Sequence, residues 1–129
     1  MHVSVVLCTY TEDMYPHFSE AAESILSQTY DDVELVVIVD GTQSVYDRVV
    51  ADYGDREDVV IECNEENIGL LESRNRGAEI ATGDVVAFID DDAVADEQWI
   101  ERLIQAYEAE DAIAAGGKMV PEWVARKPS

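Results

Sequence analysis

The stretch "VVAFIDDDAVADEQWI", residues 85–100, places three consecutive aspartates between an apolar run and an amphipathic segment. The apolar run, with the aspartate before it, is typical of a buried strand over residues 84–89. After Asp96, apolar side chains recur at helical spacing, which predicts a helix over residues 97–110 with Asp96 as its N-cap. A buried strand followed by a helix is the repeating unit of α/β proteins, so this stretch indicates the fold class.

The same alternation extends outward in both directions. Strands are predicted at residues 3–10, 32–41, 58–63, 84–89 and 112–120, and helices at about 18–26, 44–53, 70–81 and 97–110. In the third predicted helix, Leu71, Ala78 and Ala81 lie at spacings that suit a helix. Alternating strands and helices predict βαβ units, and therefore an αβα sandwich with a mostly parallel sheet.

Ligands of such sheets bind in the crevice beyond the carboxyl ends of the strands. The residues just past the predicted strand ends are Thr9–Glu12, Asp40 and Gly41, Asn64–Gly69, Asp90–Asp92, and Gly116–Lys118. We therefore expect the functional site among these residues, before any motif is considered.

The composition limits the partners. The chain has 129 residues, enough for one domain, and its 29 acidic and 8 basic side chains give a formal charge of -21. Such a surface cannot neutralise a run of phosphates, which argues against nucleic acid. The charge predicts adaptation to concentrated salt, where the Debye length falls to about 3 Å at 1 M and self-repulsion is screened. The alternative is an ordinary acidic protein.

The cysteines and the hydropathy pattern point to the cytoplasm. Cys8 and Cys63 lie inside apolar runs, where free thiols behave as small hydrophobes, so we expect a reducing compartment. No apolar run approaches the roughly 20 residues of a membrane span, and no signal peptide is recognised. We therefore expect a cytoplasmic chain without a membrane span. A longer enzyme that contains this chain could associate with the inner face of the cell membrane. The sequence does not indicate the oligomeric state.

The three aspartates suggest a divalent cation. Magnesium uses one or two carboxylates together with the phosphates of its substrate. Asp90 and Asp92 are spaced to present oxygens on one side of an extended strand end, whereas Asp91 points elsewhere and is free for a sugar hydroxyl. The alternative is a solvated acidic loop, because the acidic pairs Asp31–Asp32 and Glu65–Glu66 show how common such runs are in this chain.

Two other chemistries use acidic groups at strand ends. "DDDAV", residues 90–94, fits the D-x-D-x-V/T pattern of haloacid-dehalogenase-like phosphatases, and receiver domains of two-component signalling have an acidic pocket. In both classes the acidic residues follow the first strand, whereas the first strand here ends in "CTYTE". Lys118 after the predicted fifth strand is the one feature that favours a receiver-like domain.

Three segments and their spacing resemble the nucleotide-sugar-binding half of family-two, inverting glycosyltransferases of the GT-A fold. They are "VSVVLCTYTE", "VVIVDGT" and "NIGLLESRNRGAEIATGDVVAFIDDD", and the resemblance covers nearly the whole chain. It implies a Rossmann-like transferase that moves a sugar from a nucleoside diphosphate sugar to an acceptor such as a lipid carrier or glycan. With the acidic composition, it suggests a halophilic archaeon as the source.

The resemblance also implies roles for individual residues. Thr9, Tyr10 and Glu12 would line the nucleotide pocket, Asp40 would contact the base, and Arg74 would lie near the base or the diphosphate. Asp90 and Asp92 would bind Mg²⁺ or Mn²⁺. The full set of implied nucleotide-sugar-binding residues is Thr9, Tyr10, Glu12, Asp40, Asn67, Gly69, Arg74, Asp90 and Asp91.

The chain departs from the family pattern at its end. Residues 1–118 are expected to form the nucleotide-sugar-binding domain, and residues 119–129 the start of a truncated acceptor-binding half. The general base that deprotonates the acceptor is expected beyond residue 129, with Glu122 as a weak candidate. A non-catalytic nucleotide-sugar-binding module is therefore the second alternative.

Overall fold

The computed structural model of the protein describes residues 2–109. Its elements are β1 (Val3–Thr9), α1 (Tyr15–Leu26), β2 (Val33–Asp40), α2 (Gln43–Tyr53), β3 (Val59–Asn64), α3 (Leu70–Ile80), β4 (Val85–Ile89) and α4 (Trp99–Ala109). The first four predicted strands and all four predicted helices are confirmed. The predicted strand 112–120, the boundary at 118 and 119, Lys118 and Glu122 lie outside the described residues.

The four strands form one parallel sheet in the order β3-β2-β1-β4. The chain moves outward from β1 through β2 to β3, and α3 then carries it back across the sheet to β4 on the other side of β1. Parallel crossovers are right-handed, so this reversal places α3 on the face opposite α1 and α2.

Two apolar clusters confirm the αβα sandwich. The larger lies between one face of the sheet and α1, α2 and α4, and includes the fully buried side chains of Phe18, Ile25 and Leu103. The smaller lies on the opposite face beside α3, and contains Val6 and Ile38. Successive residues of each central strand alternate between the two clusters, which explains why these strands are apolar on both faces.

Helix α3 packs unusually close to the sheet. A Cβ at Gly77 would lie 2.4 Å from Val6 Cγ1 and 3.3 Å from Ile38 Cγ1. Leu71, one of the residues whose spacing predicted this helix, does not face the sheet, since its side chain is 71% exposed. Ser73 and Gly77, four residues apart, form the buried face of α3 instead, and their small size permits the close approach.

The sheet order creates a crevice between the loops that follow β1 and β4. These two strands are neighbours, yet β1 leads to α1 on one face and β4 is reached from α3 on the other. Such a reversal of strand order is where open α/β sheets bind ligands. No helix within residues 2–109 is long and apolar enough to cross a membrane.

Candidate functional site

A pocket of about 530 Å³ occupies this crevice. The carboxyl end of each of the four strands, or the loop after it, contributes to this pocket. The pocket residues that the sequence predicted are Thr9, Tyr10, Asp40, Asn67, Gly69, Asp90, Asp91 and Asp92, and the others are Cys8, Leu70, Ser73 and Ile89. The parallel sheet therefore brings residues that are distant in the sequence to one site, as the positions of the predicted strand ends indicated.

Two predicted residues lie outside the pocket lining. Glu12 is exposed in the loop after β1. Arg74 projects from α3 and forms an ion pair with Asp90, with Arg74 Nη2 2.7 Å from Asp90 Oδ1. The Arg74 guanidinium also lies 5.7 Å from the centre of the Phe88 ring. Arg74 thus brings a positive charge to the edge of the aspartate cluster.

Asp40 is a buried carboxylate that organises the loop before α3. Its Oδ1 accepts the backbone N–H of Ile68 at 2.8 Å, and its Oδ2 accepts that of Gly69 at 2.9 Å. Burial opposes ionisation of Asp40, but the hydrogen bonds from Ile68, Asn64 and Gly69 outweigh it and hold its pKa below the ordinary value. Asp40 is therefore charged at neutral pH and fixes the start of α3.

Thr9 and Tyr10 supply two different surfaces to the pocket. Thr9 is 1% exposed, and its hydroxyl has no hydrogen-bond partner among the described residues. Tyr10 is 53% exposed, and its backbone carbonyl accepts the hydroxyl of Thr42. A buried hydroxyl without a partner is costly, so a polar ligand group beside Thr9 would lower the free energy of the site.

The three aspartates crowd negative charge at the end of β4. Each is partly buried. Burial raises the pKa of Asp91, and the neighbouring charges of Asp92 and Asp90 raise it further. A cation at this position would relieve the repulsion that destabilises ionised Asp91.

The carboxylates fit a divalent cation that is shared with a ligand. Among residues 2–109, no group of three or more His, Cys, Asp or Glu side chains is placed to hold a metal ion by itself. Magnesium commonly takes only one or two carboxylates and completes its shell with phosphates and water. Asp90 and Asp92 supply that number of hard oxygen ligands in the same pocket.

The sequence matches a known protein family over nearly its whole length. Residues 4–127 match the family model described as glycosyl transferase family 2. The chain belongs to this family. Glycosyl transferase family 2 enzymes typically use divalent cations.

A relative from Haloferax volcanii, named glucosyl-dolichyl phosphate glucuronosyltransferase, is 57% identical over 129 residues. The alignment covers 99% of this chain but 41% of that relative, so the chain spans about two fifths of its length. A Haemophilus influenzae relative, an uncharacterized glycosyltransferase, is 32% identical over 116 residues, which cover 89% of this chain and 35% of the relative.

Solved structures show the same fold. The crystal structure of S. aureus TarS 1–349 has a TM-score of 0.74 and 21% identity, and covers 95% of this chain and 39% of that chain. The complex of the same protein with UDP-GlcNAc gives a TM-score of 0.75 with 22% identity, over 86% of this chain and 32% of that chain. The GT-A fold of this glycosyl transferase family 2 chain is therefore confirmed.

The sequence placed Asn64 at a strand end but gave no indication of Ser73 and Arg76, which join it in a polar group behind the pocket. Asn64, Ser73 and Arg76 form hydrogen bonds that end on Asp40. The available signal was the place of Asn64 at the end of β3, where it is paired with Asp40 in the parallel register. Ser73 also lines the pocket, whereas Asn64 and Arg76 support it from behind.

Cys8 lies in the pocket but is not suited to nucleophilic chemistry. Burial raises the pKa of its thiol to about 12, so the thiol stays protonated at neutral pH. Both cysteines are free, as the sequence predicted. Cys8 therefore contributes shape and apolar surface to the site.

Proposed function

We propose that the carboxyl-edge pocket binds a nucleoside diphosphate sugar, and that the chain is the donor-binding part of a sugar transferase. The observation that carries this proposal is the convergence of the carboxyl ends of all four strands on one pocket that contains Thr9, Asp40 and the aspartate cluster. Membership of glycosyl transferase family 2 supports this role over a receiver-like domain.

The sugar and acceptor classes are proposed from the Haloferax volcanii relative. Its name describes transfer of a glucuronosyl group to a glucosyl-dolichyl phosphate. At 57% identity over the matched region, we assign a nucleoside diphosphate glucuronic acid as the donor of this chain. The acceptor is correspondingly a sugar on a lipid phosphate carrier, with other glycans as the broader class.

The reaction is proposed as a single displacement that inverts the anomeric carbon. An acceptor hydroxyl attacks this carbon and loses its proton to the general base as the new C–O bond forms, and the bond to the nucleoside diphosphate breaks with its electron pair leaving on the phosphate oxygen. A cation held by Asp90 and Asp92 would supply electrostatic stabilisation of the leaving diphosphate. Arg74, beside Asp90, brings further positive charge to the same region.

A cation is required on electrostatic grounds. A diphosphate close to these carboxylates would meet a repulsion of about 1 kcal/mol per charge pair in water, or about 4 kcal/mol at an effective dielectric of 20. Arg74 offsets part of the charge of Asp90 but leaves the negative field that raises the pKa of Asp91. Divalent Mg²⁺ or Mn²⁺ held by Asp90 and Asp92 would offset this repulsion and allow the aspartate cluster to bind a diphosphate.

Calorimetric titration of the 129-residue chain with UDP-glucuronic acid tests the proposal. We expect binding with Mg²⁺ or Mn²⁺ and little binding in EDTA, and a loss of about 100-fold in Asp92→Asn because a charged oxygen ligand is removed. Asp55→Asn is the matched control, since Asp55 is exposed and away from the pocket. Binding that ignores the metal, or an Asp92→Asn variant that binds like wild type, would contradict the proposal.

The same samples test whether the chain binds the donor without catalysing sugar transfer. General-base assistance typically contributes about 10²–10⁴-fold, and we propose that the base lies beyond residue 129, in a region that corresponds to the part of the Haloferax volcanii relative outside the alignment. We therefore expect the chain to bind the donor without appreciable glucuronosyl transfer to lipid-linked sugars. Efficient transfer by this chain alone would show that the base has been misplaced.

A further inference from the structure

Asn64 is a buried amide at the junction of β3 and the pocket loop. It is 3% exposed, and its Nδ2 donates to Asp40 Oδ1 at 2.9 Å and to Ser73 Oγ at 3.0 Å. Asn64 therefore joins three elements, because Asp40 ends β2 and Ser73 belongs to α3. An amide used in this way must present its nitrogen, and not its oxygen, to the Asp40 carboxylate.

Arg76 selects this orientation of the amide. Its Nη1 donates to Asn64 Oδ1 at 2.6 Å and to the Cys63 carbonyl at 3.1 Å, while Nη2 lies 3.1 Å from Glu62 Oε1. A guanidinium has no acceptor, so it pairs only with the oxygen side of the Asn64 amide. The nitrogen side is then directed to Asp40, and Glu62 holds the guanidinium in place.

Asp40 transmits this arrangement to the loop that lines the pocket. Its two carboxylate oxygens accept the N–H groups of Ile68 and Gly69, and its carbonyl accepts Asn67 Nδ2 at 3.3 Å. The loop also lies directly against Gly41, where a Cβ would be 2.6 Å from the Asn67 nitrogen. The position of the loop thus depends on a chain of contacts that begins outside the pocket.

We propose that Asn64 and Arg76 are positioning residues for donor binding, acting through Asp40 on the pocket loop 65–69. This inference rests on the proposed function, because it assumes that the pocket binds the nucleoside diphosphate sugar. Arg76 does not line the pocket, and neither does Asn64. Both act by fixing the oxygen atoms of Asp40 and, through them, the backbone N–H groups of Ile68 and Gly69.

Asn64→Leu tests the network without changing the charge. The variant keeps a similar side-chain volume and removes the amide donors, and we expect UDP-glucuronic acid with Mg²⁺ to bind about tenfold more weakly. Gln105→Leu is the matched control, because Gln105 is an exposed amide on α4. Circular dichroism and the thermal midpoint of both variants show whether the fold is retained.

The amide signals of Ile68 and Gly69 give a readout that a general loss of stability would not produce. In wild type these signals should titrate with Asp40 below its ordinary pKa of 3.8. Removal of the Asn64 donor is expected to move that midpoint upward in Asn64→Leu and leave it unchanged in Gln105→Leu. Arg76→Lys keeps the charge but loses the planar guanidinium that donates two directed hydrogen bonds, and we expect it to bind UDP-glucuronic acid about threefold more weakly. Arg102→Lys is the control and should bind like wild type.

The outcomes separate the two proposals. A folded Asn64→Leu variant with unchanged affinity and an unchanged titration midpoint would overturn the positioning role. If Asn64→Leu does not fold, the charge-matched pair Arg76→Lys and Arg102→Lys decides, and equal affinity of the two would overturn it. If wild type binds no UDP-glucuronic acid, the proposed function is contradicted, and the amide titration alone decides whether Asn64 positions the loop.

Discussion

The two ends of the parallel sheet use the same kind of side chain in opposite ways. At the amino end, Glu34 accepts hydrogen bonds from Ser4 Oγ at 2.6 Å and from the Thr82 N–H at 3.0 Å, and Gly83 N donates back to Ser4 Oγ at 2.8 Å. At the carboxyl end, a pocket of about 530 Å³ stays open among Asp90, Asp91, Asp92 and the Thr9 hydroxyl, which has no hydrogen-bond partner within residues 2–109. One end is closed by its own hydrogen bonds, and the other offers groups to a ligand.

The difference follows from topology and not from acidity. The turn between α3 and β4 folds over the start of β1, so the Thr82 N–H reaches Glu34 and the Gly83 N–H reaches Ser4. At the other end, the strand order reverses between β1 and β4, and the loops after these two strands leave a crevice. Hydrogen bonds from Ser4 and Thr82 outweigh burial and lower the pKa of Glu34, whereas burial and like charges raise that of Asp91.

The largest expected effect comes from Asp40→Ala at the carboxyl end. The change leaves the N–H groups of Ile68 and Gly69 and the Asn64 amide without their acceptor, at a cost of about 3 kcal/mol in the free energy of unfolding. Donor binding should be lost together with this stability. Urea unfolding and calorimetry measure the two quantities, and a stable variant with intact binding would break the link between the loop and the pocket.

Glu34→Ala is the counterpart at the amino end. We expect a smaller loss, about 1–2 kcal/mol, because Glu34 is only partly buried and water replaces part of its hydrogen bonding. Affinity for UDP-glucuronic acid should remain that of wild type under conditions where the variant is folded. Weakened binding in folded Glu34→Ala would show that the two ends are coupled.

Acid should weaken the closed end in a predictable window. The pKa of Glu34 is lowered from its ordinary 4.5, so its contribution is fully present above that value and is lost as pH falls through the folded-state value. Acid also neutralises the acidic surface, so the measurement is the unfolding free energy of wild type minus that of Glu34→Gln. This difference should shrink below about pH 4.5, and a difference that grows in acid would reverse the assigned sign.

Added salt should cause the smallest change in stability among these predictions, and it should act on the acidic groups at both ends of the sheet. The -21 charge destabilises the compact state through self-repulsion, and KCl near 1 M screens it over about 3 Å. Thermal midpoints should therefore rise with KCl, by a few degrees, and Asp91→Asn should gain less from salt than wild type because one crowded charge is gone. A midpoint that is flat or falls would argue against adaptation to concentrated salt.

The sequence predicted the parts of this molecule that depend on local pattern. Apolar runs located β1 to β4, and the strand-end rule grouped Thr9 with Asp90–Asp92 although 80 residues separate them. It did not predict that Leu71 is exposed, since helical spacing alone cannot show which face meets the sheet. The link from Arg76 through Asn64 to Asp40 was also missed, because it depends on the register that sets Asn64 beside Asp40.

Amide chemical-shift mapping of the 129-residue chain with UDP-glucuronic acid and Mg²⁺ tests most directly that function lies at the open end of the sheet. We expect the signals of Thr9, Tyr10, Gly69 and Asp90–Asp92 to move with saturation, and those around Ser4, Glu34 and Thr82 to stay in place. Shifts concentrated at the amino end, or no metal-dependent shifts at the carboxyl end, would contradict it.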